Sequence, residues 1–299
     1  MGEISEKNMP ILTAVVPVSN MSGKLDILHS WLSQTYKYPM EVILVHDFKD
    51  LATGAELSLM LDTICNSQIK LFTVEFGSPG FSRNFGLSKA EGSWIVFWDC
   101  DDLPNVNTVL QVLLSENLHS IQAIIGEFTS YNLHTKLSKK HLLRGNPYEK
   151  IALMPGLWRF VFNKEALGNI KFSRILMAED QIFLMEFLAI NKNYLFVSED
   201  FYTYYVGVEN SLSSNRYAIK DLAISLKWTS SHIKVDFKSN QHVACIMYAR
   251  QTISALKHGD LQLKLFAFCN FVQSLVLQNP KNSLLIFKAL FKVLKAKNE

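Results

Sequence analysis

Three aspartates stand close together after a short apolar segment in the first half of the chain. Asp99, Asp101 and Asp102 follow residues 94–98, which have the composition of a fully buried strand. Carboxylates this close repel one another at neutral pH, so a nearby cation would stabilise their charged forms. Oxygen ligands of this kind suit Mg²⁺ or Mn²⁺. The cluster therefore predicts a divalent metal site at the end of a strand, where an α/β protein can hold a diphosphate.

The same aspartates also allow a purely structural interpretation. Asp and Asn are common in turns and at helix N-termini, and residues 103–105, Leu-Pro-Asn, are typical of the lead into a helix. The cluster alone leaves both interpretations open.

Two other places carry charged residues that suit chemistry. Glu179 and Asp180 precede the apolar helical stretch 182–188, where acids often serve as caps or as partners of the helix dipole. Arg83 ends the segment 77–83, which we predict to be a glycine-shaped loop, and it opens a helix on the same rim as the aspartates. Its guanidinium could pair with a phosphate or with an Asp, or the loop could be structural only.

Strands and helices must alternate to position these groups. Residues 11–18, 41–45 and 69–74 are apolar runs typical of strands, and segments with helical spacing separate them. This order predicts βαβ units and hence an α/β fold, with a Rossmann-like, mainly parallel sheet and helices on both faces. Because parallel strands end at one edge, Ser19, Asp47 and the aspartates would line a single crevice.

Composition narrows the class of protein. The chain has 299 residues, of which 48% are hydrophobic and 19% charged, as in a packed globular protein. A net charge of +3 is too mild to indicate a nucleic-acid partner. The four cysteines have no paired spacing, so the sequence predicts neither a zinc site nor a disulfide framework. Residues 1–7 lack the apolar core of a signal peptide, and no run is long enough to span a membrane, so we expect a soluble or peripheral protein.

No glycine-rich phosphate loop follows the first strand. Residues 17–20 are Pro-Val-Ser-Asn, whereas a nucleotidyltransferase should carry a glycine-rich loop there and a dinucleotide oxidoreductase a Gly-x-Gly-x-x-Gly turn. Both enzyme classes are disfavoured, and the nucleotidyltransferase is the closer rival.

Taken in order, several segments resemble successive landmarks of the family 2 glycosyltransferases, which have the GT-A fold. The segments are 13–20, 44–47, 82–87, 99–102, 156–165, 178–180, 204–205 and 209–213. The resemblance covers about the first 215 residues, and the order and spacing of the segments carry it more than any single one does.

The resemblance implies a binding role for each matching residue. The first two strands would hold the nucleoside through their last residues, namely Pro17, Val18, Ser19 and Asp47. Asp99, Asp101 and Asp102 would hold the metal on the diphosphate, with Arg83 as a helper. His46 departs from the family, which often has an acid at that position, so Asp47 remains the sole acid there.

The resemblance also assigns the chemistry. Asp180, with Glu179 beside it, would be the general base that takes the proton from the acceptor hydroxyl. A carboxylate suits this task because sugar hydroxyls are weak acids that must lose their proton as the new bond forms.

The implied protein is an inverting, metal-dependent hexosyl- or N-acetylhexosaminyltransferase with Mn²⁺ or Mg²⁺ as its cofactor. It would move a sugar from a nucleoside diphosphate donor, a UDP-sugar above all, to a glycan or lipid-linked acceptor in surface polysaccharide or lipopolysaccharide synthesis. We expect no nucleic-acid partner, and a cytoplasmic location that allows peripheral contact with the inner face of an anionic membrane. The alternatives are a catalytically silent nucleotide-sugar-binding subunit and a nucleotidyltransferase.

The resemblance stops near residue 215, and the rest of the chain has a different pattern. Residues 222–299 alternate apolar helical stretches with polar breaks. We therefore predict a catalytic GT-A domain over residues 1–215 and a helical C-terminal region over residues 216–299.

The last helical segment, residues 283–297, has a basic face. Lys288, Lys292 and Lys295 share that face, opposite three apolar residues, Phe287, Leu290 and Leu294. This arrangement predicts either an ordinary packed helix with a solvated face or a helix that docks on an anionic membrane surface.

Overall fold

The computed structural model describes residues 10–207, 216–233, 241–277 and 280–296. The chain forms two compact units, each built from separate segments. The first contains Met1–His141, Trp158–Gly168 and Asn193–Val208; the second contains Leu142–Leu157, Asn169–Lys192 and Glu209–Glu299. The landmark at 209–213 and the predicted boundary after residue 215 lie outside the described residues, and the division at that boundary stays a prediction.

The first unit is built on a β-sheet. Within the described residues its strands are β1 (Leu12–Val18), β2 (Met40–Asp47), β3 (Ile69–Val74), β4 (Trp94–Phe97), β5 (Leu103–Pro104), β6 (Ala123–Asn132), β7 (Ser138–His141), β8 (Phe160–Asn163) and β9 (Tyr194–Val206).

Helices flank the sheet and make up most of the second unit. In chain order they are α1 (Asp26–Leu32), α2 (Leu51–Ile64), α3 (Pro79–Lys89), α4 (Val106–Ser115), α5 (Pro147–Leu153), α6 (Lys164–Leu167), α7 (Glu179–Ile190), α8 (Arg216–Ile219), α9 (Leu222–His232), α10 (Gln241–His258), α11 (Leu261–Leu277) and α12 (Pro280–Ala296). Short 3-10 turns occur at Thr35–Lys37 and Leu157–Arg159.

The sheet is mixed, with a parallel half that follows the predicted βαβ pattern. Its strand order is β3-β2-β1-β4-β8-β6-β9-β5, and β7 pairs with β6. Strands β3, β2, β1 and β4 are parallel to one another, whereas β8 is antiparallel to both β4 and β6. The predicted α/β fold is thus confirmed, and the sheet continues beyond β4 through strands that reverse direction.

The central strand β1 is buried because neighbouring strands cover both of its edges and apolar packing covers its faces. Val15 is fully buried and pairs with Ile43 of β2 and with Phe97 of β4. This placement explains the near-continuous apolar run in the sequence, since such strands have no face toward water.

The segment before Arg83 differs from the predicted loop. Pro79 begins α3 as its first residue, a position where proline is favoured because its fixed φ suits a helix and its missing N–H is not needed. Arg83 therefore lies in the second turn of the helix. Helix α3 approaches β1 closely at Gly86, where a Cβ would lie 2.4 Å from Cγ1 of Val15. That close approach fixes the distance of Arg83 from the strand ends.

A buried carboxylate joins several strands at the amino edge of the parallel half. Oε1 of Glu41 accepts hydrogen bonds from the Thr13 hydroxyl at 2.6 Å, the Glu91 amide at 2.5 Å and the Gly92 amide at 3.3 Å. Its Oε2 accepts one from Nζ of Lys70 at 2.8 Å. Burial would raise the pKa of Glu41, but these donors outweigh it and the pKa is lowered.

The second unit contains the predicted C-terminal helices, arranged around α10. Residues 243–249 of α10 are buried, and α5, α9, α11 and α12 all pack against this helix. The Tyr248 hydroxyl donates to Oδ1 of Asn270 at 2.7 Å and lies 3.0 Å from Oγ of Ser274, which ties α10 to α11. No described helix is both long enough and apolar enough to cross a membrane.

Helix α12 packs through a face that the sequence did not single out. Its buried side chains include Ile286, Ala289 and Val293, whereas Phe287 and Leu294 are exposed. The sequence left two interpretations open, a packed helix with a solvated face and a helix that docks on a membrane. The helix packs against α10, but through a face other than that of Phe287 and Leu294. The helix carries two apolar faces, and the hydrophobic spacing alone does not say which one is covered.

Candidate active site

The carboxyl ends of three parallel strands bring polar residues to one edge of the first unit. Val18 of β1 pairs with His46 of β2, and the Trp98 amide after β4 donates to the Val15 carbonyl at 3.2 Å. Ser19, Asp47 and Asp99 follow these strands directly. The backbone of Ser19 lies close enough to hydrogen-bond the buried Cys100 thiol, so the end of β1 touches the aspartate cluster itself.

Asp99 is held by an ion pair and by a tyrosine. Nη2 of Arg83 donates to Oδ1 of Asp99 at 2.8 Å, and the Arg83 side chain is almost completely buried. The Asp99 amide donates to the Tyr202 hydroxyl at 3.0 Å. Charge-assisted pairs of this kind fix geometry as well as energy. The structure thus places Arg83 on an Asp, which is one of the two partners that the sequence left open.

Asp102 lies deepest in the cluster. It is 1% exposed, and its Oδ1 accepts the Tyr205 amide at 2.7 Å. Its Oδ2 is buried and meets no hydrogen-bond partner in good geometry among the described residues. Burial, followed by the charges of Asp99 and Asp101, raises the pKa of Asp102 well above its usual range, and Tyr205 and Tyr202 offset part of this effect.

Asp101 is nearer to solvent and shares the same crowding. Burial and the charge of Asp99 raise the pKa of Asp101 to about 6, while the nearby Lys24 ammonium lowers it in part. Lys24 lies in the loop between β1 and α1 and was not singled out in the sequence. It adds a second cation, after Arg83, beside the aspartates.

The donor set of the cluster fits a hard divalent cation. Its carboxylate oxygens are the ligands that Mg²⁺ and Mn²⁺ prefer, and Oδ2 of Asp102 accepts no hydrogen bond of good geometry from the described residues. Across the described ranges, no three His, Cys, Asp or Glu side chains converge in an arrangement that could hold a metal ion. Mg²⁺ is commonly bound through one or two carboxylates together with substrate phosphates, so the cluster needs to supply only part of such a shell.

The end of β2 separates His46 from Asp47. The His46 ring points into the unit, with Nε2 at 2.9 Å from the Asp50 carbonyl and with Gly54 of α2 leaving room for it. Asp47 is half-buried and accepts the Lys49 amide through Oδ1 at 3.1 Å. Asp50 caps α2 and also accepts the Asn20 amide at 2.5 Å, which ties the loop after β1 to the end of β2. The sequence did not single out Asp50.

Aromatic side chains stack beside the cluster. The Trp158 ring is stacked with Tyr202 at 4.9 Å and with Tyr204 at 5.7 Å between ring centroids. Its edge meets Phe128, with 4.4 Å between centroids. Trp158 and Tyr204 are half-buried, so the stack is partly open to solvent. These contacts join segments far apart in sequence, and no local spacing indicated them.

Glu179 and Asp180 belong to the second unit, where they form the first turn of α7. The preceding Ala178 has a left-handed conformation, with φ of 66°, which is uncommon for a residue with a side chain. Oδ1 of Asp180 accepts the Gln181 amide at 2.8 Å. Glu179 is buried, and Asp180 begins the helix with its carboxylate near the positive end of the dipole.

A buried arginine accompanies Asp180. Arg250 of α10 donates through Nη1 to the Leu153 carbonyl. Burial lowers the pKa of Arg250, and the charge of Asp180 acts in the opposite direction. The Arg250 guanidinium therefore interacts electrostatically with Asp180. The two residues are far apart in sequence, and nothing in the spacing of residues around either one pointed to the other.

Comparisons with known proteins identify relatives of this chain. The family model of Glycosyl transferase family 2 matches residues 13–190, a span that contains both groups of acids. The poly(ribitol-phosphate) beta-N-acetylglucosaminyltransferase TarP of Staphylococcus aureus (strain N315) is 25% identical over 269 residues, covering 84% of this chain and 81% of TarP.

Solved structures show the same architecture. The crystal structure of S. aureus TarS 1-349 in complex with UDP-GlcNAc superposes with a TM-score of 0.70 at 14% identity, over 96% of this chain and 91% of that chain. The mannosyltransferase PcManGT from Pyrobaculum calidifontis, in complex with GDP-Man and Mn2+, gives a TM-score of 0.55 at 16% identity, over 96% and 87%. The fold is therefore GT-A-like with additional C-terminal helices, and by its family match the chain is a glycosyltransferase that belongs to Glycosyl transferase family 2.

Proposed function

We propose that this chain is an inverting glycosyltransferase that moves a sugar from a nucleoside diphosphate donor to a glycan or lipid-linked acceptor of a surface polymer. A UDP-linked hexose or N-acetylhexosamine is the favoured donor. The names of two relatives support this choice, because TarP is a poly(ribitol-phosphate) N-acetylglucosaminyltransferase and TarS was solved with UDP-GlcNAc.

The observation that carries the proposal is the aspartate cluster at the carboxyl edge of the parallel strands. It combines a buried carboxyl oxygen that accepts no hydrogen bond of good geometry from the described residues with two cationic side chains, Arg83 and Lys24, that interact with its aspartates. Ligands of open α/β sheets bind at this edge. The carboxylates and a diphosphate are all negatively charged, so a cation between them would offset the charge of both groups.

The metal part of the proposal assigns each aspartate a place. Asp99 and Asp101 are half-buried and reachable, so they would hold Mn²⁺ or Mg²⁺, with Asp102 behind them as the third acid. When bound, the ion neutralises charge that develops on the leaving diphosphate. The Mn2+ in the PcManGT structure supports the choice of ion. The nucleoside would lie against Pro17, Val18, Ser19 and Asp47.

The proton transfer is assigned to Asp180. The acceptor hydroxyl oxygen forms a bond to the anomeric carbon as the bond from that carbon to the diphosphate oxygen breaks. Asp180 takes the hydroxyl proton, and attack from the face opposite the leaving group inverts the configuration. Arg250 places a positive charge that interacts with Asp180, and Glu179 begins the same helical turn.

The test is transfer from a panel of sugar nucleotides in which UDP-GlcNAc is included, with Mn²⁺, with Mg²⁺ or with EDTA. Donor hydrolysis and product formation are followed by release of the nucleoside diphosphate. We expect turnover of at least one UDP-sugar that needs a divalent ion. Full turnover in EDTA would contradict the metal assignment, and thermal stabilisation by UDP without turnover of any donor would favour the silent binding subunit.

Asp180→Asn separates chemistry from donor binding. The amide keeps the shape of the side chain but cannot accept the proton, so the transfer rate should fall by about 10²- to 10⁴-fold. Donor affinity, measured by calorimetry with UDP, should change little. A variant that transfers sugar at the parent rate would show that another group is the base.

The proposal includes reversible contact with the inner face of an anionic membrane, where a lipid-linked acceptor would be presented. The lysines of the C-terminal helices support this part.

A further inference from the structure

Helix α11 carries an apolar stripe that points away from its packed face. Its buried residues, Leu263, Ala267 and Ser274, belong to the face that meets α10. Five large apolar residues recur at helical spacing on the opposite side and are exposed: Leu261, Leu265, Phe268, Val272 and Val276. Leu261 and Val276, near the two ends of the helix, are 72% and 73% exposed, so the stripe runs along the whole helix.

Helix α12 repeats this arrangement. Its packed face contains Ile286, Ala289 and Val293, and a second apolar stripe lies opposite that face. The exposed stripe is formed by Leu284, Phe287, Phe291 and Leu294. Monomeric soluble proteins rarely expose contiguous apolar surface of this extent, and such surface usually marks an interaction site.

Positive charge dominates around the two stripes, with Asp260 at the start of α11 as an acidic neighbour. Residues 261–296 contain five lysines and neither Asp nor Glu. Lys288 and Lys295 border the α12 stripe on one side, and both are exposed. Lys292 lies beside them and pairs with Glu149 of α5. An apolar strip edged by lysines suits a surface that offers hydrocarbon beneath a layer of negative charge.

We infer that the exposed stripes of α11 and α12 form a docking surface for the anionic face of a lipid bilayer. The inference deepens the membrane contact included in the proposed function by assigning it to both helices and to their outer faces. The apolar residues would enter the boundary between headgroups and acyl chains while the lysines meet anionic headgroups. The attraction of a few lysines to such a surface is modest, so both the lysines and the apolar residues are needed for stable docking.

A second copy of this chain is the other occupant that an apolar surface can take. A two-fold contact would place the same lysine-edged stripes against each other and bring like charges together. The excess of lysines on these two helices therefore favours lipid over a second copy.

Sedimentation with vesicles tests the inference on the full chain, without donor or acceptor, so that its failure is separate from any failure of transferase activity. The vesicles contain phosphatidylcholine alone or an equal mixture with phosphatidylglycerol. We expect binding to the mixed vesicles that weakens with salt and little binding to phosphatidylcholine. Phe287→Ser combined with Phe291→Ser should weaken binding at least about tenfold. Lys288→Gln combined with Lys295→Gln should weaken it by a similar factor.

A matched control removes exposed apolar residues elsewhere. Leu59→Ser with Leu114→Ser changes two exposed leucines of α2 and α4 and should leave vesicle binding unchanged. Unfolding curves confirm that each variant is folded. Equal binding of all variants, or equal binding to both kinds of vesicle, would overturn the inference. So would a dimer that the phenylalanine substitutions dissociate in a chain that binds no vesicles.

An exposed cysteine on α11 allows an independent test of whether this helix inserts into the bilayer. Cys269 and Cys65 are exposed, whereas Cys100 and Cys245 are buried. An environment-sensitive dye on Cys269, in a Cys65→Ser chain, should shift to shorter wavelength with the mixed vesicles. The same dye on Cys65, in a Cys269→Ser chain, should not. A shift at both positions or at neither would contradict insertion through α11.

Discussion

Glu41 and Asp102 are both buried carboxylates of one sheet, yet their surroundings are opposite. Glu41 lies at the amino edge of the parallel strands and accepts four hydrogen bonds, one of them from Lys70. Asp102 lies at the carboxyl edge, accepts the Tyr205 amide, and faces two other aspartates. The pKa of Glu41 is lowered and that of Asp102 is raised, although burial pushes both upward.

The contrast separates stability from function within one sheet. A carboxylate that is fully hydrogen-bonded stabilises the folded state in its charged form. A carboxylate crowded by like charges destabilises the fold until a cation arrives, and this is a reason to expect a ligand rather than a structural role at the carboxyl edge. Removing a carboxylate charge should therefore lower the free energy of unfolding at the amino edge but not at the carboxyl edge.

The largest effect should come from the carboxyl edge. Asp101→Asn removes one of the proposed metal ligands and should lower the transfer rate by about 10²- to 10³-fold, the usual cost of losing an electrostatic contact to developing charge. In metal-free buffer the same variant should be at least as stable as the parent, because like-charge repulsion falls. Asp62→Asn, at an exposed position of α2, is the control for both measurements. If the Asp101→Asn chain were strongly destabilised but transferred sugar at the parent rate, the carboxyl edge would have a structural role rather than a functional one.

The next effect belongs to the amino edge. Glu41→Gln keeps the size of the side chain but removes the charge that Lys70 and the Glu91 and Gly92 amides meet. The free energy of unfolding should fall by about 2 kcal/mol, as for a broken buried hydrogen-bond network. Urea unfolding measures this change, and the transfer rate per folded molecule should stay at the parent value. A loss of rate without a loss of stability would mean that the two edges are not independent.

The pH dependence of stability also tests the contribution of the charged Glu41 carboxylate. The folded pKa of Glu41 lies below its ordinary value of 4.5, so its contribution is fully present above pH 4.5 and is lost as the pH falls through the folded pKa. The difference in unfolding free energy between the parent and Glu41→Gln should therefore shrink in acid. Urea titrations between neutral pH and the acid transition would show this, and a difference that stays constant would exclude Glu41 as its source.

The smallest effect tests the contact that links β9 to the cluster. Tyr202→Phe removes the hydroxyl that accepts the Asp99 amide and should lower the free energy of unfolding by about 1 to 2 kcal/mol. Tyr205→Phe is the matched control, because the backbone amide of Tyr205 holds Asp102 and remains in the variant. Thermal unfolding compares the two. Equal destabilisation would assign the effect to general packing.

Much of the parallel half could be predicted from sequence because its physics is local. A strand buried on both faces must be a continuous apolar run, so β1, β2 and β4 were visible as such runs. The helix around Arg83 was missed because its glycines suggested a loop, while Pro79 in fact begins a helix. The spacing of the aspartates also indicated that this edge of the sheet binds a ligand. It did not indicate which other residues lie around the aspartates.

Contacts between distant segments could not be predicted. The Tyr202 hydroxyl accepts a hydrogen bond from the Asp99 amide, and Arg250 interacts electrostatically with Asp180. Both pairs join distant stretches of chain whose proximity depends on the complete fold. The face of α12 was uncertain for a different reason. Helical periodicity reports that apolar faces exist, but a helix with two of them can pack through either one. Phe287 and Leu294, which the sequence singled out, lie on the exposed one.

The hydrogen-bond network of Glu41 makes the Gly92 amide a reporter of the whole first unit. This amide donates both to the Glu41 carboxylate and, at 2.9 Å, to the Thr13 hydroxyl, so it joins three segments that are distant in sequence. Local fraying cannot free it, because β1, β2 and the turn before β4 would have to separate together. Its deuterium exchange should therefore proceed only through global opening of the unit, and its protection factor should equal the reciprocal of the unfolding equilibrium constant.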